Sequence, residues 1–235
     1  MMLGAMKNFV KATKLIGRIP KIEQKLDLLL WETPDIPRDF FPKFVESARQ
    51  MGWLESAKQH KPMTADGEPC PWYTYPMLHF LGTRQLTDLR VFEYGSGNST
   101  LWWSRKAKSV VSVEHDRDWF ELISKQSPAN VTYNYRELVE GGDYSTEVTR
   151  HQDTAFDVVV IDGRDRVNCA KATMNLKQRP SAIIWDNSER ERYQEGYDLL
   201  INNGYRRLDF DGFGPVNGRP WRTSVFYMPD NCLKI

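Results

Sequence analysis

The chain has 235 residues, enough for one α/β domain with an extension and a core of ordinary size. Its 32 Lys and Arg against 31 Asp and Glu leave a net charge of +1, so no global field calls for nucleic acid. No apolar run approaches the roughly 20 residues of a membrane span, and no continuous apolar stretch suggests a secretory signal. Three widely spaced cysteines, Cys70, Cys169 and Cys232, form no C-x-x-C pair and point to reduced thiols in a cytoplasmic setting.

Residues 1–30 carry Lys7, Lys11, Lys14, Arg18, Lys21 and Lys25 against Glu23 and Asp27. Met6, Phe9, Val10, Leu15, Ile16 and Ile19 fall roughly on one helical face until Pro20 interrupts. Such a segment reads as a basic amphipathic helix lying on an anionic membrane. The same helix could lie on a partner instead, and the plainer reading is an arm packed on its own domain or on a second copy. Residues 31–70 are broken by Pro34, Pro37, Pro42, Pro62 and Pro69, with one helical stretch near Pro42–Ser56. The proline- and aromatic-rich run Pro69–Leu81 then leads through a short helix, Met77–Leu81, into the first strand. Residues 1–70 are thus expected to form a helical extension, and residues 71–235 the principal domain.

The stretch VFEYGSGNST, residues Val91–Thr100, reads as a buried strand, a glycine turn and a helix opening on Asn98, Ser99 and Thr100. Gly95 and Gly97 lack a Cβ, so the backbone there turns sharply and lies close against a ligand. From this point strands and helices alternate. Strands are expected at Val91–Tyr94, Ser109–Val113, Val131–Tyr135, Asp157–Ile161 and Ala182–Trp185. Helices are expected at Ser99–Lys106, Arg117–Lys125, Arg166–Leu176 and Glu189–Asn202. The uninterrupted run Val158–Ile161 is that of a central parallel strand covered on both faces. The alternation implies right-handed crossovers and a doubly wound, Rossmann-like sheet. Arg206–Phe210 and Ser224–Met228, joined by a Gly/Pro loop, close the chain as an antiparallel return.

Ligands in such sheets lie at the carboxyl ends of the strands. Acids reach that edge at Glu114-His115-Asp116, at Glu137, at Asp162-Gly163-Arg164-Asp165 and at Asp186-Asn187. Glu114 closes the second strand, where a carboxylate is placed to hold the two hydroxyls of a ribose. Taken alone, a G-x-G is also simply a strand-to-helix turn.

With Glu93 two residues before Gly95, and Glu114 closing the next strand, VFEYGSGNST resembles motif I of the class I S-adenosylmethionine-dependent methyltransferases. Ser99 stands where the third glycine of that motif falls. The resemblance covers residues 72–228 and rests also on SVEHD, VVVIDGRDR and IIWDN. It implies a seven-stranded, mostly parallel sheet with an antiparallel C-terminal strand, S-adenosylmethionine as cofactor, and methyl transfer to a small-molecule or saccharide hydroxyl. It also implies that Glu93 holds the methionine amino end through water and that Gly95, Gly97 and Ser99 form the cofactor turn. Glu114 would bind ribose, Glu137 would meet the adenine edge, and His115 and Tyr75 would wall the pocket.

Asp162 after the fourth strand, with Asp186-Asn187 after the fifth, further resembles the metal-dependent, catechol-type O-methyltransferases. That likeness implies Mg²⁺ on Asp162, Asp186 and Asn187, since a hard cation takes oxygen ligands and lowers the pKa of a bound hydroxyl. The lysine base of those enzymes is not carried over, because its place holds Asp165. Asp162 and Asp165 are the candidate catalytic acids, although Asp165 in RDR also reads as a surface ion pair and Asp186-Asn187 as a helix cap. Two other readings stay open: a scaffold of the same fold anchored by its basic arm, and an aminopropyl transferase.

Overall fold

The computed structural model describes residues 40–125 and 127–235; the basic segment of residues 1–30 lies outside them. The chain divides into two compact units, Met1–Ala48 and Arg49–Ile235. Of the first, the described residues belong to helix α1 (Phe40–Gln50), where Phe40 stacks on Phe44. The second unit holds the remaining elements.

Its elements are α2 (Trp53–Gln59), α3 (Tyr75–Gly82), β1 (Arg90–Tyr94), α4 (Asn98–Lys106), β2 (Ser109–Glu114), α5 (Arg117–Ser124) and β3 (Val131–Tyr135). There follow α6 (Asp143–Thr146) with a 3₁₀ turn at Glu147–His151, then β4 (Val158–Ile161), α7 (Arg166–Met174) and β5 (Ala182–Asp186). A 3₁₀ turn at Glu191–Tyr193, α8 (Gln194–Asn202), β6 (Arg206–Gly212) and β7 (Trp221–Tyr227) complete the chain. The helix expected over Pro42–Ser56 is two helices. Gly52 breaks it with φ +82, and a Cβ there would stand 2.5 Å from the Thr64 backbone. The turn over Asp143–His151 was not expected, because Tyr144 and Val148 are its only apolar residues, too few to mark a helix from sequence.

The seven strands run in the order β3-β2-β1-β4-β5-β7-β6. β1 through β5 are mutually parallel, and β7 runs antiparallel to both β5 and β6. This is the doubly wound sheet with an antiparallel C-terminal strand that the alternation and the motif imply.

Strand alternation divides the core into two layers. Phe92, Tyr94, Val159, Ile161, Ile183 and Trp185 face one side and pack with Cys169 and Ala170 of α7 and with Leu200 of α8. Val91, Val158, Val160, Ala182 and Ile184 face the other, against Met77 and Leu81 of α3 and Trp102 and Trp103 of α4. All four residues of β4 are fully buried, as its unbroken apolar run requires. The three cysteines are free thiols. Among the described residues, no helix is long and apolar enough to cross a membrane.

Candidate active site

The strand order reverses between β1 and β4, and the chain opens there at the carboxyl edge. Gly95 takes φ +93 and Gly97 φ +148, conformations that side chains disfavour. The turn is fixed at both ends. The Gly95 N–H donates to the Val113 carbonyl at 2.9 Å, and the Ser112 hydroxyl donates to the Gly95 carbonyl at 2.8 Å. A Cβ on Gly95 would lie 3.3 Å from Gly163, so the ends of β1 and β4 approach backbone to backbone. Above the turn is a cleft of about 510 Å³, walled by Glu93, Ser96, Ser99, Glu114, His115 and Trp119 on one side and by Asp162, Gly163, Asn187 and Arg190 on the other.

Two acids sit at the base of this cleft. Glu114 is 3 % exposed. Its Oε1 accepts from the His115 and Asp116 N–H groups at 2.7 and 2.9 Å, and its Oε2 accepts from the Ser96 hydroxyl at 2.5 Å. The carboxylate is thus locked in one orientation by its own strand end. Glu93 is 1 % exposed; Thr100 donates to its Oε2, and its Oε1 has no hydrogen-bond partner. Burial pushes the Glu93 carboxyl up to about 7, with Glu114 adding to the push and the Thr100 hydroxyl opposing it. A buried acceptor without a donor is costly unless a ligand or water supplies one.

Beside β1, the ends of β4 and β5 bring two more acids together, one residue beyond the Ile161↔Trp185 pair. Asp162 keeps 23 % of its side chain open, and it lines both the first cleft and a second one. Asp186 is 4 % exposed, and its Oδ1 accepts from the Trp221 indole at 2.9 Å and from the Thr223 hydroxyl at 2.6 Å. Burial raises both carboxyls; the charge of Asp162 raises Asp186 further, and that of Glu93 raises Asp162. Arg166 works against this at Asp162, as does the opening of that side chain to the cleft. The second cleft, about 330 Å³, is lined by Trp72, Asp186, Asn187, Asn217 and Trp221 and shares Asp162, Asn187 and Arg190 with the first.

The expected metal ligands do not fit a hard cation as a set. The Arg166 guanidinium sits among them, donating to the Gly163, Asp162 and Asp186 carbonyls and to Asp162 Oδ1. Asp186 Oδ1 is taken by two protein donors, and Asn187 stands in the left-handed region at φ 50. Among the described residues, no three His, Cys, Asp or Glu side chains converge in a way that could hold a metal ion.

Of the residues singled out from sequence, Glu93, Gly95, Ser99, Glu114, His115, Asp162 and Asn187 line the first cleft, and Asp186 lines the second. Gly97 backs the same turn from a neighbouring hollow. The His115 ring lies 2.9 Å from Glu114 Oε1 and edge-on to Tyr144. Three residues lie elsewhere. Tyr75 heads α3, packs against Trp53 and borders neither cleft. Glu137 is exposed past β3, off the cleft wall. Asp165 is turned away at φ 48, its oxygens holding the Gly141 N–H at 2.8 Å and the Asn168 amide at 2.7 Å. It staples a loop to α7 and lines neither cleft.

Sequence reasoning missed Ser96, Trp72, Trp119, Arg166 and Arg190. Ser96 lies inside the glycine motif, so its register toward Glu114 was available. The others reach the clefts from separate elements and leave no local signature. Trp185, adjacent to the cleft in sequence, instead packs on Tyr197 at a centroid distance of 5.0 Å.

The chain is similar in structure to a methyltransferase-like protein from Silicibacter pomeroyi, with a TM-score of 0.50 at 24% identity over 69% of this chain and 91% of that one. It also matches a methyltransferase from Geobacter sulfurreducens, with a TM-score of 0.48 at 17% identity over 87% and 96% of the two chains. A third match is a putative methyltransferase from Streptococcus mutans, in complex with SAH, with a TM-score of 0.46 at 9% identity over 65% and 98%. The first of these likenesses is one of fold. No family model matches the sequence. No curated protein matches it either.

Proposed function

We propose that the chain is an S-adenosylmethionine-dependent methyltransferase acting on a hydroxyl of a small molecule or saccharide. The observation that carries this reading is the position of Asp162 on the wall shared by two clefts. One cleft lies over the glycine turn with Glu93 and Glu114 at its base; the other lies between two tryptophans. Donor and acceptor would meet at that wall.

When bound, S-adenosylmethionine supplies a methyl group already activated on a sulfonium. The protein's part is therefore alignment and proton removal. Glu114, held rigid by Ser96 and two backbone N–H groups, presents its carboxylate to a ribose diol. The Gly95 turn lets the backbone approach the ligand, and the unpartnered Glu93 Oε1 takes the methionine amino group through water. Asp162 would accept the proton of the acceptor hydroxyl as that oxygen takes the methyl group, leaving the donor as a neutral thioether. Trp72, 39 % exposed, and Trp221, pinned by Asp186, offer flat apolar faces to an acceptor ring. Asn187 and Asn217 offer amides to its hydroxyls.

This reading assigns no step to a divalent cation, because Arg166 already pairs with the Asp162 carboxylate and Oδ1 of Asp186 is taken by Trp221 and Thr223. Isothermal titration with S-adenosylhomocysteine tests the cofactor half. Saturable binding that weakens on substitution of Glu114 supports it, and absence of heat from the folded protein refutes it. Methyl-labelled donor then tests transfer against panels of phenols and monosaccharides, with RNA as the contrasting acceptor.

A further inference from the structure

A dense set of polar contacts outside the glycine turn is centred on Arg166. Only 7 % of its side chain is exposed, and four of its five N–H groups are placed. Nε donates to the Gly163 carbonyl at 2.9 Å. One terminal nitrogen donates to the Asp186 carbonyl, and the other to the Asp162 carbonyl at 3.0 Å and to Asp162 Oδ1 at 3.2 Å. Every acceptor is an oxygen at the end of β4 or β5. That is the set of carbonyl and carboxylate oxygens a hard cation gathers. The flat face of the guanidinium lies 5.5 Å from the centroid of Tyr193, which closes it off behind.

We infer that Arg166 is a built-in cation, standing where a divalent metal would otherwise bridge the ends of β4 and β5 and positioning Asp162 for its role without one. Two carboxyls brought together at the ends of adjacent buried strands need a counter-charge. A guanidinium supplies one permanently, because it stays protonated at any working pH. Its planar fork also does what a spherical ion does not. It fixes one oxygen of Asp162 along a set direction, while Oδ2, which has no partner among the described residues, is left for the shared wall of the two clefts. A dication added beside this group would meet like charge across a poorly screening interior. Arg166 borders the first cleft but not the acceptor cleft, and it is a positioning residue on this account because it acts on the acceptor only through Asp162.

The test uses Mn²⁺ alone with the full chain, followed by the loss of the free-ion electron paramagnetic resonance signal. The wild-type protein is expected to leave that signal undiminished. Arg166→Ala, which removes the resident charge and opens the space it fills, is expected to bind Mn²⁺ roughly tenfold or more tightly than the wild type. Adding Asp162→Asn, which removes the carboxylate that Arg166 holds, to that variant should reverse the gain. Arg166→Gln, closer in shape and neutral, repeats the comparison if the alanine variant does not fold by circular dichroism. Stoichiometric Mn²⁺ binding to the wild type overturns the inference, and so does a folded Arg166 variant that gains no affinity. Neither readout involves the methyl donor, so failure of the methyltransferase reading would appear separately, as absent binding of S-adenosylhomocysteine.

Discussion

The indole N–H of Trp221 donates to Oδ1 of Asp186 at 2.9 Å, tying the first residue of β7 to the last of β5. The bond links the one strand that runs against the sheet to the acid beside the transfer wall. Trp221 is also seated over Gly214, where a Cβ would come within 2.4 Å of its ring. Trp221→Phe keeps most of that packing but removes the donor from a buried carboxyl. The expected loss is about 1–3 kcal/mol in urea unfolding, with an unchanged slope. An unchanged midpoint would show that the bond adds nothing to the fold.

Gly163 makes a sharper case. A Cβ there would stand 1.9 Å from the Tyr144 hydroxyl and 3.1 Å from the Gly95 nitrogen. Gly163→Ala should therefore displace the glycine turn and destabilise the protein by a few kcal/mol. Tyr144→Phe removes the nearer clash while leaving the backbone contact, so the double variant should recover part of the loss and not all of it. Additive losses in the double variant would mean that the clash is absorbed elsewhere.

What was legible in the sequence was what repeats or what carries a rare residue. Val158–Ile161 announced a central strand because nothing polar interrupts it, and VFEYGSGNST announced a turn because glycine alone is at ease at φ +93. The acids at the strand ends were legible for the same reason: each follows a buried run at a fixed edge. Their partners were not. Arg166 carried no reading of its own beside Asp165 in RDR, yet the turn into α7 folds it inward onto three carbonyls. Asp165, one residue earlier, is turned the other way by its left-handed backbone. Adjacent residues on a loop take opposite roles through backbone angles that composition does not specify. The Asp143–His151 segment stayed hidden because only Tyr144 and Val148 carry it into the core and polar contacts complete its hold: Glu147, 1 % exposed, is clasped by Arg136 and Arg150.

Glu114 should matter to the ligand more than to any neighbour. Its two oxygens are oriented by Ser96, His115 and Asp116 before anything binds, so little ordering is left to do. Glu114→Gln retains the shape and loses the charge. Its affinity for S-adenosylhomocysteine by titration calorimetry should fall by about 1.5–3 kcal/mol, roughly ten- to a hundredfold. Equal affinity in the variant would remove ribose binding from this residue.

Glu93 ties the site to pH. Its carboxyl is raised to about 7 from an ordinary 4.5, first by burial and then by Glu114. The folded protein thus holds a proton that the unfolded chain has already released, and stability falls as pH rises from about 4.5 through 7. The cost approaches about 3 kcal/mol above that window, since each pKa unit is worth about 1.4 kcal/mol. Asp162 and Asp186 are raised too and slope the same way, so the test is a difference. Glu93→Gln should lose less stability than the wild type between pH 5 and 8, as read from urea midpoints at each pH. A cationic amino group held at Oε1 would favour the ionised carboxylate. Affinity for S-adenosylhomocysteine should therefore climb as pH passes 7 in the wild type and stay flat in Glu93→Gln. Parallel stability curves for the two proteins would show that Glu93 is already ionised in the fold, and a flat wild-type affinity would place the amino group elsewhere.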